Sequence, residues 1–160
     1  MVNSYKPHVL VLPEDDANRE LADGFHLEID WSRQRRMQVL RIAGGWREVL
    51  KRFKEAEVQG MEKWPERYMV LLIDFDSKAD RLEIAKAAVP AHLTERVFVL
   101  GTLSKPEALK TTLGPFFETI GSKLAAECRE ETDTIWKHNL LQHNASELDR
   151  LCEHVRPILF

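Results

Sequence analysis

A chain of 160 residues that is 44% hydrophobic and 31% charged is long enough to bury one sizeable core, and its composition excludes a disordered segment. Residues 1–160 read as a single domain. Met1 to Pro7 lacks the apolar core of a secretory leader, and no segment reaches the roughly 20 apolar residues that cross a bilayer, so a cytoplasmic protein without membrane contact is expected.

The formal charge of −3 is unevenly spread. Between Arg33 and Lys54 eight basic residues (Arg33, Arg35, Arg36, Arg41, Arg47, Lys51, Arg52 and Lys54) face only Glu48, a net of +7. Such a band attracts a polyanion, since Lys and Arg contacts to phosphates dominate nucleic-acid affinity. A basic solvated helix face is the competing reading. The two cysteines, Cys128 and Cys152, lie far apart in helical patterns and read as buried thiols rather than as a disulfide or zinc pair.

In chain order, His8 to Leu12 forms a first strand ending at Pro13 and the acidic cluster Glu14-Asp15-Asp16. A helix follows through Arg19 to Phe25, its acids at the amino end where the dipole favours them. Asp30 to Arg36 is a loop. Met37 to Ala43 is a second strand that stops at Gly44-Gly45, whose amides either cradle a phosphate or make a tight turn. A helix over Arg47 to Lys63 carries an apolar stripe of Val49, Leu50, Phe53 and Met61. The third strand, from Arg67, ends in Asp74-Phe75-Asp76, and a helix covers Ala79 to Ala88 before Pro90. Arg96 to Gly101 is a fourth strand. Beyond Pro106 the pattern is helical, and Asn144 with Glu147 three residues on resembles a capping box for the last helix, with Leu148, Leu151, Cys152 and Val155 buried. This alternation predicts an α/β fold, a four-stranded mainly parallel sheet flanked by helices with a helical C-terminal extension over about 114–160.

The residues that carry chemistry follow from that frame. Side chains alternate along a strand, so Asp74 and Asp76 are expected on one side and Phe75 on the other. Open α/β sheets gather their ligands at the carboxyl ends of strands. With the first and third strands adjacent, Glu14 joins the pair there, and three carboxylates so close repel one another unless a proton or a cation offsets the charge; oxygen ligands select a hard ion, Mg²⁺, Mn²⁺ or Ca²⁺, with Mg²⁺ or Mn²⁺ expected. Lys78 and Lys105 also follow strand ends, where each either stabilises charge on a phosphoryl group or is merely solvated. His138 and His143, five residues apart, do not share a helix face and predict no shared metal.

A Glu at the end of the first strand and an Asp-x-Asp at the end of the third resemble the Toprim domain, the metal-dependent module of topoisomerases, bacterial primases, recombination proteins and OLD-type nucleases. The resemblance spans about residues 8–113. It implies that Asp74 and Asp76 hold the ion and that Glu14 is a general acid/base or a further ligand. Ser104-Lys-Pro-Glu107 looks like the later acidic element of nuclease-type members, which makes Glu107 a further metal candidate, although a proline-initiated turn with an acid in it reads the same way. The chain departs from the family at Asp15, where a Gly usually stands, and at Asn18, where nuclease-type members carry an acid.

The resemblance implies a nuclease or nuclease subunit acting on nucleic acid, DNA before RNA. Arg33, Arg35, Arg36, Arg47, Lys51, Lys78 and Lys105 would contact the phosphates, and an ATPase from another chain is a possible partner. A strand-passing topoisomerase is excluded, because it needs further domains and a nucleophilic Tyr and the chain has only Tyr5 and Tyr68. Two rivals stand beside this reading. One is a receiver-type phosphoacceptor domain with Asp74 as acceptor, Glu14-Asp15-Asp16 as acidic pocket and Ser104-Lys105-Pro106 as its Lys-Pro ending, although such a domain needs another strand and helix between Asp74 and Lys105. The other is a non-catalytic interaction module that kept the fold.

Overall fold

Strands buried on both faces read as near-continuous apolar runs, and His8–Pro13, Arg67–Leu72 and Val97–Leu100 form from such runs, with His8 and Arg67 only at strand starts. The computed structural model describes residues 1–160. Its elements are β1 (His8–Pro13), α1 (Asp16–Leu27), β2 (Met37–Val39), α2 (Trp46–Arg52), α3 (Val58–Lys63), β3 (Arg67–Leu72), α4 (Asp80–Ala87), β4 (Val97–Leu100), α5 (Lys110–Leu113), α6 (Phe117–Glu130), α7 (Ala145–His154) and α8 (Arg156–Leu159). The sheet order is β2-β1-β3-β4 and every pairing is parallel, so the fold is a Rossmann-like α/β sheet with a helical C-terminal part. No helix is long and apolar enough to cross a membrane.

Alternation along the strands separates two cores. Leu10, Leu12, Met69, Leu71, Val97 and Val99 face α2, α3 and α4 through Val49, Phe53, Met61 and Ala85. Val9, Val11, Val70, Phe98 and Leu100 face the other way, against Ala22 of α1, Cys128 of α6, Leu151 of α7 and the C-terminal Ile158 and Leu159. The helical C-terminal part therefore covers one face of the sheet together with α1. A smaller cluster, Leu21, Leu109, Phe117, Ile120, Leu124, Trp136 and Leu141, joins α1 to α6.

Helices α1 and α6 cross closely because both contact points are glycine. A Cβ on Gly24 would overlap the Glu118 carbonyl, and one on Gly121 would overlap the carbonyl of Leu21. Backbone cannot yield as a side-chain tip does, so Gly121→Ala is expected to lower stability by about 2 kcal/mol in a urea melt, with an unchanged slope. A change below roughly 0.5 kcal/mol would mean that this crossing is loosely packed.

The elements differ from the sequence pattern in four places. First, β2 ends at Val39 rather than Ala43. The Leu40 amide donates to Val11 O and the Ala43 amide to Pro13 O, so three residues on this side advance against two on β1. One extra residue is accommodated, as in a β-bulge, and the regular ladder stops. Second, the helix expected over Arg47 to Lys63 is broken by a π-helical segment, Phe53–Glu57, between α2 and α3. Val49, Phe53 and Met61 all remain fully buried across the wider turn. Third, α1 (Asp16–Leu27) runs on past Phe25, while its acids stand at the amino end as expected, the Asp15 carboxylate accepting the Asn18 amide at 3.0 Å.

Fourth, Asn144 and Glu147 do not form a capping box. The Asn144 side chain accepts from the Gly101 amide at 3.1 Å and donates to the Gly101 carbonyl at 2.9 Å. Glu147 Oε2 accepts from the Val99 amide at 2.9 Å. Strand β4 is the edge of the sheet, and its outward backbone groups need partners. These two side chains supply what a fifth strand would, and a bond to the helix end is given up for it.

Candidate functional site

The carboxyl edge of the central strands holds the residues singled out by the sequence, although not in the arrangement that alternation predicts. Glu14 and Asp74 are brought together: Glu14 Oε2 accepts the Asp74 amide at 2.7 Å. Beyond Leu72 the chain stays extended, its Ile73 and Phe75 amides donating to the Leu100 and Thr102 carbonyls at 2.9 Å each. Ile73 and Phe75 are buried, which leaves Asp74 on the site side. Asp76 then takes a left-handed conformation, φ 51°, followed by Ser77 at φ 55°. The alternation breaks there, and Asp76 turns to solvent with its side chain 59% exposed. This corrects the expectation of two parallel carboxylates. No group of three acidic, His or Cys side chains is gathered closely enough to hold a metal ion by itself.

Three residues that the sequence did not mark as ligands surround Asp74. Asn18 is fully buried and its Nδ2 bridges two acids, donating to Asp15 Oδ1 at 3.0 Å and to Asp74 Oδ1 at 3.1 Å. Its own carbonyl oxygen, Oδ1, is buried without a partner. Thr102, just past β4, places Oγ1 3.2 Å from Asp74 Oδ1 and 2.6 Å from the Ser104 carbonyl. Arg81, in the first turn of α4, donates to the Asp74 carbonyl at 2.6 Å and approaches Asp76 Oδ2 at 3.9 Å. Its guanidinium lies 4.6 Å over the Trp46 ring, and Trp46 carries Arg47 at 4.8 Å. Only the position of Asn18, four residues after Glu14, was visible beforehand. Arg81 and Thr102 reach the site through contacts that no local pattern encodes.

Electrostatics follow from this packing. An apolar cavity of about 90 Å³ lies on the α1 and α6 side of the sheet, with Asn18 and Thr102 among its lining residues. Burial pushes the Asp74 carboxyl above its ordinary range, the charges of Asp15 and Glu107 push the same way, and the hydrogen bonds from Asn18 and Thr102 oppose them. Glu14 is raised too, by burial first, against the Asp74 amide bond, and then by the charges of Asp74 and Asp15. Thr102 has one proton for two acceptors. A protonated Asp74 would complete the chain by donating to Thr102 while Thr102 donates to Ser104. Two carboxyls held in conflict with their surroundings are a familiar mark of a functional site.

The remaining predicted residues fall into distinct places. Glu107 is exposed in the 3₁₀ turn Pro106–Leu109, and it reaches Asp74 only through its charge. Lys78 and Lys105 are exposed at the ends of the chain segments that follow β3 and β4, and Arg47 and Lys51 are exposed on α2. The basic band is not one surface. Arg33 donates to the Phe160 and Pro157 carbonyls and Arg36 to that of Ile158 at 3.2 Å, so both clamp the C-terminal turn. Met37 pairs with Val9, five residues before Glu14, which sets Arg33, Arg35 and Arg36 roughly 17 Å from the acids along the strands. Gly44 spends its amide on the Glu14 carbonyl at 2.8 Å, so that amide is not free to cradle a phosphate. Its φ of 94° calls for glycine. His138 bonds Thr112 at 2.8 Å, whereas His143 packs edge-on to Phe75 at 5.0 Å, and the two share nothing. No protein-family model, no curated protein and no solved structure matches this chain.

Proposed function

We propose that this chain is a Toprim-like, Mg²⁺- or Mn²⁺-dependent protein acting on nucleic-acid phosphodiesters, most simply as a nuclease or nuclease subunit. The observation that carries the reading is the contact of Glu14 with the backbone of Asp74 at the carboxyl edge of a parallel sheet, both carboxyls raised by burial. A cation beside them would relieve that conflict. The donor set fits a hard ion: carboxylate oxygens of Asp74 and Glu14, and the unpartnered amide oxygen of Asn18. Mg²⁺ takes one or two protein carboxylates and completes its shell with water and phosphate, so a site short of three close acids suits it.

In this reading Asp74 and Glu14 hold the ion, which supplies Lewis-acid stabilisation of the phosphate and a more acidic water. Where Asp74 alone binds the ion directly, Glu14 is instead the general acid/base that moves the proton. Asp76 and Glu107 are outlying acids that would meet the ion through water. Arg47, Lys51, Lys78 and Lys105, all exposed, would hold the backbone of DNA, while Arg33 and Arg36 are left to stability and Arg35 stands apart with them at the other end of the sheet. An ATPase on another chain belongs to the same proposal, as does the cytoplasmic setting.

The test is cleavage of single- and double-stranded DNA and RNA with Mg²⁺ or Mn²⁺, comparing the wild type with Glu14→Gln. Loss of at least about 100-fold in the variant is expected. Equal rates would remove Glu14 from the chemistry.

A receiver-type phosphoacceptor is the second reading, favoured by Thr102 standing 3.2 Å from Asp74 with Asp15 close by. Only one strand, β4, separates Asp74 from Lys105, and that counts against it. Incubation with acetyl phosphate decides: a base-labile acyl phosphate on Asp74 belongs to this reading alone.

A further inference from the structure

The chain has two cysteines, and the fold sets them side by side. Cys128 lies on the buried face of α6, and Cys152 is half-buried on α7. Their sulfurs are 4.0 Å apart, twice the length of a disulfide bond of about 2.05 Å, so both are free thiols in contact. One turn beyond Cys152, Arg156 bonds the Arg129 carbonyl at 3.2 Å and pairs with Glu131 at 3.0 Å, while its buried Nε has no acceptor. A guanidinium beside the pair favours a thiolate there. We propose that Cys128 and Cys152 form a peroxide-sensitive dithiol, with Cys152 as the attacking sulfur and Cys128 as the resolving one.

The division of roles follows from exposure and charge. Cys152 is the less buried of the two residues. The contact with Cys128 and the Arg156 charge favour its thiolate, while burial and the charges of Asp149 and Glu131 oppose it. Cys128 is pushed up by the same contact and by burial, so it keeps its proton. In the first step the Cys152 thiolate attacks one oxygen of a hydroperoxide, forming an S–O bond as the O–O bond breaks, and the departing oxide takes a proton from water. In the second, the Cys128 sulfur attacks the sulfenic acid of Cys152, the S–S bond forms, the S–O bond breaks, and hydroxide leaves with the Cys128 proton as water. Two thiols and one hydroperoxide thus yield one disulfide, an alcohol or water, and a further water. Two electrons pass to the peroxide.

The consequence is mechanical. The cross-link closes the segment between positions 128 and 152 and fastens α6 to the helix whose Glu147 holds the Val99 amide at the free edge of β4. Oxidised protein is expected to melt at least about 5 °C higher than reduced protein.

Reduced wild-type chain treated with one to two equivalents of hydrogen peroxide is analysed by intact mass and by peptide mapping without reductant. The expected result is a loss of about 2 Da and a linked Cys128–Cys152 peptide. In Cys128→Ser, Cys152 should be trapped by dimedone as a sulfenic acid. The wild-type mass alone decides if that variant fails to fold. Two free thiols after treatment, over-oxidation of Cys152 with Cys128 intact, or a disulfide between chains would each overturn the proposal.

Discussion

Glu147→Ala is expected to lower stability by about 2–3 kcal/mol, which for a chain of this size is a fall of about 5–10 °C in melting temperature. Glu147 is only 1% exposed, and it accepts the Val99 amide at 2.9 Å while pairing with Lys86 at 2.7 Å and Arg150 at 2.9 Å. Alanine leaves the Val99 N–H without an acceptor at the edge of the sheet. The ion pairs add less than their distances imply, because the Lys86 and Arg150 side chains are 45% and 34% exposed and water screens them. Burial works to raise the Glu147 carboxyl, but Lys86, the Val99 amide and Arg150 together hold it below its ordinary 4.5. A depressed carboxyl contributes stability that is present above pH 4.5 and lost as pH falls through the folded value. The gap between wild type and variant should therefore narrow in acid. Glu147→Gln, which keeps an oxygen for Val99, should lose about half as much. A drop below about 2 °C for the alanine variant would show that β4 needs no such cover.

Asp74→Asn is expected to act in opposite directions on activity and stability. Metal-dependent cleavage should fall at least about 100-fold, since the variant loses the charge on the oxygen that Asn18 and Thr102 position. The fold should gain about 1 kcal/mol at pH 7, or about 2–4 °C, because a half-buried carboxylate opposed by Asp15 and Glu107 is replaced by a neutral isostere. A carboxyl raised by folding contributes stability that is fully present below its ordinary value, here 3.8, and is lost as pH rises through the folded value. Hence the gain in the variant should grow from pH 3.8 upward and vanish below it. Melting curves across that range check it. A variant less stable than wild type at neutral pH would mean that Asp74 is a structural acid.

Buried parallel strands were legible because they must be apolar on both faces. His8 to Pro13 and Arg67 to Leu72 stand out in the sequence for that reason, and the two acids that the fold brings into contact, Glu14 and Asp74, follow them. The orientation of the second Asp was not legible. Alternation holds only while the backbone stays extended, and the left-handed turn at Asp76 ends it without a glycine to announce it. Asn144 and Glu147 have the letters of a capping box, yet an edge strand 43 to 48 residues away claims both side chains. Helix capping is a local contest, and a long-range partner with buried backbone groups wins it. The basic residues misled for a related reason. Contiguity in sequence made one band of Arg33 to Lys54, but β2 carries the chain from one end of the sheet to the other between Arg36 and Arg41. Arg81 was hidden altogether, since nothing in α4 foretells a guanidinium spanning the backbone of Asp74 and the face of Trp46.

The proposed function rests on a divalent cation meeting Asp74 and Glu14 at the carboxyl edge of β3 and β1. Direct binding of Mn²⁺, followed by the electron paramagnetic resonance signal of the free ion, tests this with no assumption about substrate. Wild-type protein should take up one Mn²⁺ per chain in competition with Mg²⁺, and both Asp74→Asn and Glu14→Gln should weaken that binding at least about tenfold. No uptake at millimolar Mn²⁺, or uptake that both variants retain unchanged, would contradict it.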